Sequence, residues 1–84
     1  MRTIPELDRI IGWNIRHLRE MKRLRQWELA APLLISYQQI QKFERGENSI
    51  SASQLFIISV TLGCSMEAFY RRDPEDIESH QAQE

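Results

Sequence analysis

Signals that start and stop helices recur along this chain and divide it into a series of helical segments. Thr3-Ile4-Pro5-Glu6 reads as a capping box with proline in the first turn, where a missing N–H costs least. Ser36 suits an N-cap for a helix closed by Gly46. Ser51-Ala52-Ser53-Gln54 makes a second box, Gly63 a second stop, and Ser65 a further cap. Between these marks the apolar residues recur at helical spacing, and no stretch alternates as a strand does. The spacing predicts a first helix beginning after Thr3, with Ile11, Ile15, Leu18 and Met21 as its apolar stripe, then helices over 26–33, 37–45 and 51–62, and a short fifth around 65–70. The later helices are short enough to be marginal in isolation, so packing must stabilise them. The expected fold is a compact all-α domain of five helices over residues 1–72. Its core candidates are Ile11, Ile15, Leu18, Leu24, Leu29, Ala30, Leu33, Ile35, Ile40, Phe43, Leu55, Ile58, Leu62, Met66 and Phe69, with Met21 at the end of the first stripe. Gly12, which costs about 1 kcal/mol relative to alanine inside a helix, is explained if another helix approaches closely there. Pro32 is expected to end or distort the second helix.

The charge is nearly balanced overall, at −1, but it is segregated. Residues 1–50 hold nine Lys/Arg against six acids, and residues 51–84 hold two against six. A basic front half suits a polyanionic partner. Residues 73–84 contain five acids, no Lys or Arg, and only Ile77 and Ala82 as apolar side chains, which predicts a disordered acidic tail. Cys64 is the only cysteine, so no internal disulfide forms and a reducing, cytoplasmic setting is expected. Glu6 and Asp8 interrupt any apolar leader, and the longest apolar run falls far short of the roughly 20 residues of a membrane span.

Catalytic chemistry has little to build on. His17, Cys64 and His80 lie far apart and match no metal-ligand spacing. The three glycines, 12, 46 and 63, are too scattered for a phosphate-cradling loop. No cofactor, metal or small-molecule ligand is expected, and Cys64 reads as a packing residue.

The segment from Ser36 to Gly46 is the informative one. At about 100° per residue, Ile40 and Phe43 point inward with Glu44 at the edge of their side. Gln38, Gln41, Lys42 and Arg45 collect on the opposite face, with Tyr37 and Gln39 at its margins. Exposed amides and cations are ordinary helix formers, yet they also match the adenine and guanine edges of a major groove. A preceding helix, with Gln26 at its start, can brace such a reader.

With these residues in view, positions 11–70 resemble the helix-turn-helix family of phage repressors and Cro, the XRE-like bacterial regulators. The matching stretches are Ile11-Gly12, Ile15-Arg16, Leu18-Arg19, Gln26, Glu28-Leu29-Ala30, Ile35-Ser36, Ile40, Phe43-Glu44-Arg45-Gly46, Leu55 and Leu62-Gly63. The resemblance implies a repressor-like regulator that binds double-stranded DNA without enzymatic activity. It implies Tyr37, Gln38, Gln39, Gln41 and Lys42 at base edges, and Gln26, Arg45, Asn48 and Ser49 on phosphates. It also implies a structural salt bridge between Arg19 and Glu44. The rival reading is an antitoxin or other protein-binding module of the same fold.

Three departures from the family pattern concern the turn. Arg25 stands where a Ser or Thr cap is usual, Pro32 where a helix former is usual, and Leu34 where the turn generally holds glycine. Because a left-handed backbone disfavours leucine, a differently built turn is expected. On the fourth helix, Phe56, Ile57 and Val60 form an apolar face apart from the core stripe, which points to a homodimer joined there and near the fifth helix. Trp13 and Trp27 also fall at positions usually exposed, with no assigned role.

Overall fold

The computed structural model describes residues 4–71. They form helices α1 Ile4–Met21, α2 Gln26–Leu33, α3 Tyr37–Glu44 and α4 Ala52–Leu62, followed by a 3₁₀ helix, Met66–Tyr70. The described residues include no strand. The expected Thr3 cap and the acidic segment 73–84 lie outside the described residues.

Side chains begin the helices as the sequence suggests. Ser36 Oγ accepts from the Gln39 amide, and Ser51 and Gln54 satisfy each other's backbone N–H groups reciprocally. Arg25, which has no oxygen to offer, is compensated from the other side: the Glu28 carboxylate accepts from the Arg25 backbone N–H at 3.0 Å. The short fifth helix is present as a 3₁₀ helix, but Ser65, expected as its cap, makes no side-chain cap bond.

All four α-helices end with one geometry, a left-handed residue whose amide and successor close the last turn. For α1 the residue is Arg23 (φ 57°), with Leu24 N–H reaching Arg19 C=O at 3.0 Å. For α2 it is Leu34 (φ 58°), with Ile35 N–H reaching Ala30 C=O. Gly46 and Gly63 serve α3 and α4, with bonds from Glu47 to Lys42 and from Cys64 to Ser59. The expectation of a differently built turn between α2 and α3 is therefore corrected. Leu34 adopts the left-handed conformation; its N–H and that of Ile35 close on the Ala31 and Ala30 carbonyls, and the partly buried Leu33 and Ile35 pack against the core on either side, which offsets the local strain. Pro32 is accommodated within the last turn of α2.

α1 packs on α3 and on the 3₁₀ helix, and α2 packs on α3 and α4. Their shared core contains Ile15, Leu29, Ile40, Ile58, Leu62 and Phe69, all almost completely buried. Ile11, Leu18, Leu24, Leu33, Ile35 and Met66 pack against this core while partly exposed. Two expectations for α1 fail. Met21 is largely exposed, and Ile10 and Asn14 are buried although the stripe through Ile11 omitted them. The reason is that α1 has two partners. Asn14 Nδ2 donates to Ile10 C=O and to Phe69 C=O, each at 2.8 Å, and so fastens the 3₁₀ helix.

The close approach behind Gly12 is visible as well. A Cβ at that position would lie 2.1 Å from the Phe43 carbonyl oxygen and 2.9 Å from that of Glu44. Gly12 thus lets α1 run against the end of α3.

Candidate nucleic-acid interface

α3 contains one acidic residue, and the fold removes it from the surface. Glu44 is buried beneath the helix with its side chain 3% exposed. Arg19 from α1 meets it as a bidentate partner, with Nε at 2.6 Å from Oε2 and Nη2 at 3.1 Å from Oε1. The remaining Nη1 of Arg19 donates to Leu24 C=O at 2.8 Å, so the guanidinium is held from both sides. Gln26 joins the same group, its Nε2 donating to Glu44 Oε1 at 3.0 Å. This fixes the Gln26 amide at the start of α2 while its carbonyl oxygen and second N–H are uncommitted by that bond. α1, α2 and α3 therefore meet at one neutralised ion pair, which sets how α3 is held against the other two helices.

The outward side of α3 is consequently free of carboxylates. Gln38 and Lys42 are exposed, Tyr37 is about half exposed, and Gln39 and Gln41 are partly covered. Arg45, at the end of the helix, is exposed and pairs with Glu47 at 2.8 Å. Asn48 and Ser49 lie exposed in the following loop. The Ser49 hydroxyl donates to Asp8 of α1 at 2.6 Å, which places a carboxylate at that end of the surface and occupies the Ser49 proton.

Sequence reasoning overlooked Arg16. It lines a cleft with Arg19, Gln26, Gln41, Glu44 and Arg45, and so carries α1 into the surface around α3. Its helical position shows only that it is exposed; its place in the same cleft as Gln41 depends on how α1 crosses α3. A second groove lies between the starts of α2 and α3 and includes Leu24, Arg25, Trp27 and Tyr37.

Other reactive side chains stand apart. Trp13 stacks on His17 with centroids 5.0 Å apart and planes 7° from parallel. Burial pushes the Cys64 thiol above its ordinary range, against the opposing influence of Lys22 and Arg71, so it is protonated near neutral pH. Among the described residues no group of side chains is arranged to hold a metal ion, and no helix is long and apolar enough to cross a membrane.

Phe56 and Val60 on α4 are 58% and 65% exposed, with Ile57 beside them, although all three are apolar. They share the outward side of α4, away from Leu55, Ile58 and Leu62.

The helix-turn-helix family model HTH_3 matches residues 15–69. An uncharacterized transcriptional regulator in the ATPase CF(0) region of Rhodospirillum rubrum is 42% identical over 77 residues, covering 87% of this chain and 71% of its own. An HTH-type transcriptional regulator of Sinorhizobium medicae is 39% identical over 70 residues, covering 83% of this chain. This chain spans half the length of that relative. An HTH_3 family transcriptional regulator from Vibrio cholerae superposes with a TM-score of 0.75 at 27% identity, over 92% of this chain and 43% of that one. The restriction-modification controller protein C.AhdI from Aeromonas hydrophila, at 22% identity, shares the fold with a TM-score of 0.68 over 74% of this chain and 94% of its own. The extent of the family match and the identity to the Rhodospirillum protein show that this chain belongs to the HTH_3, or XRE-like, helix-turn-helix family.

Proposed function

We propose that this chain is a transcriptional repressor that reads double-stranded DNA by laying α3 in the major groove, as a homodimer on paired half-sites. DNA binding and transcription regulation follow from the family; repression, dimerisation and the roles of individual residues are our reading. The observation that carries it is the charge distribution of α3. The helix buries its only carboxylate in the Arg19–Gln26 network and turns Gln38, Gln41 and Lys42 outward. A helix meant for solvent alone has no need to hide a glutamate, whereas one that enters a phosphate-lined groove is repelled by any carboxylate left on that face.

In this reading Gln38 and Gln41 pair with adenine edges, and Lys42 reaches guanine O6/N7. Tyr37 and Gln39 border them. Gln26, with its remaining N–H, and the exposed Arg45 and Asn48 take the sugar–phosphate backbone and set the register. Ser49 contributes there only after leaving Asp8.

Selection of bound duplexes from a random pool supplies the operator. Replacing both Gln38 and Lys42 by alanine is then expected to lower affinity for that operator by about 1–3 kcal/mol per lost base contact, a larger loss than the electrostatic one that Lys42 alone causes on random duplexes. Equal binding of parent and double variant to the operator overturns the base-reading assignment.

A further inference from the structure

Two arginines from different helices open onto the cleft beside Gln41. Arg16 comes from α1 and Arg45 from the end of α3. The floor of the cleft is already neutral, because Glu44 is matched by Arg19 in a bidentate pair and capped by Gln26. The two outer guanidinium groups are therefore the cations of the cleft that are not tied into its buried network. Each touches one surface glutamate: Arg16 meets Glu20 at 3.5 Å, and Arg45 meets Glu47 at 2.8 Å. Both pairs are open to water on both sides, with Arg16 and Arg45 each 62% exposed, Glu20 56% and Glu47 50%. Exposed pairs of this kind are weak and exchange readily.

We propose that Arg16 and Arg45 form a two-arginine clamp for a backbone phosphodiester of the duplex, next to the base edge facing Gln41, and that Glu20 and Glu47 hold the clamp in the free protein as exchangeable counter-carboxylates. The proposal rests on the DNA-binding reading and adds to it a phosphate site on α1 and an internal competitor for each of its cations. A guanidinium binds phosphate in the same bidentate fashion as carboxylate, so the bound phosphate and the glutamate exclude each other. The weak intramolecular pairs are given up when the duplex arrives. Their cost falls equally on every sequence, because phosphates carry no base identity. Glu20 and Glu47 therefore restrain non-specific binding without altering the discrimination made by α3.

The test measures fluorescence anisotropy of a labelled random-sequence duplex and of the selected operator, from low to moderate salt, using the full chain. The substituted side chains are exposed, and circular dichroism checks that each variant keeps the parent fold. Arg16→Gln is expected to lower the slope of log affinity against log salt by about 0.9, and to weaken both duplexes about tenfold at ~0.1 M salt. Arg16→Lys restores the slope. Glu20→Gln and Glu47→Gln are expected to tighten both duplexes by equal factors. If the parent binds both duplexes while Arg16→Gln leaves slope and affinity unchanged, the clamp is refuted and the α3 reading stands. Tightening of the operator alone by the glutamate variants also refutes the role given to Glu20 and Glu47. A parent that binds no duplex at low salt overturns the underlying reading and the clamp together.

Discussion

Arg23 and Leu34 occupy positions whose backbone suits glycine, and both carry full side chains at φ near +57°. Left-handed geometry costs an L-residue about 1–2 kcal/mol. Glycine relieves that strain but loses about 0.4–1 kcal/mol through greater freedom in the unfolded chain. Leu34→Gly and Arg23→Gly are therefore each expected to stabilise the domain by about 0.5–1 kcal/mol. Thermal unfolding should show the midpoint rising by a few degrees in each variant; a fall in both would show that tertiary contacts of these side chains outweigh their strain. Glu44 behaves in the opposite way. Its loss strands the Arg19 guanidinium, whose side chain is only 11% exposed, and releases Gln26. Glu44→Ala is expected to cost about 3–5 kcal/mol, read as a lowered midpoint in urea denaturation. A cost below 1 kcal/mol would mean that Arg19 finds water or another partner easily.

Among the elements, the crossing of α1 and α3 is the contact on which the interface depends. Gly12 faces backbone carbonyls of Phe43 and Glu44, which cannot move aside as a flexible side chain would. Alanine there favours helix in isolated α1 by about 1 kcal/mol. In the folded protein the same change must push the two helices apart, and we expect a net loss of about 3 kcal/mol. The opposed signs make the test clean: Gly12→Ala should raise the helicity of a peptide spanning α1 and lower the stability of the whole domain. Little of this crossing was legible in the sequence. A glycine inside a helical pattern signals close approach without naming the partner. The spans of α3 and α4, by contrast, followed from local capping and apolar period. The 3₁₀ geometry of Met66–Tyr70 did not, nor did its anchor, the bond from Asn14 to the Phe69 carbonyl 55 positions later in the chain.

At the scale of the molecule, Phe56, Ile57 and Val60 present an apolar surface that the described residues leave open. If this face joins two copies, both α3 helices can meet one face of a duplex, with half-sites about 34–36 Å apart. Sedimentation at micromolar concentration is then expected to show a dimer, and Val60→Glu a monomer with an unchanged circular dichroism spectrum. The monomer should lose at least tenfold in affinity for a palindromic operator, while its binding to a single half-site is unaffected. A parent that sediments only as monomer removes the dimer from the proposal.

Sequence alone determined where α3 and α4 begin and end and which side of α3 turns outward. Those features are set by hydrogen bonds a few residues long and by a period of 3.6, both of which are written locally. Tertiary structure decided that Gln26 joins the Arg19–Glu44 pair, that Arg16 lines the same cleft as Gln41, and that Leu34 accepts a backbone unfavourable to it. Each of these outcomes depends on how α1, α2 and α3 pack, and the energy of such packing is shared among residues that the chain keeps far apart.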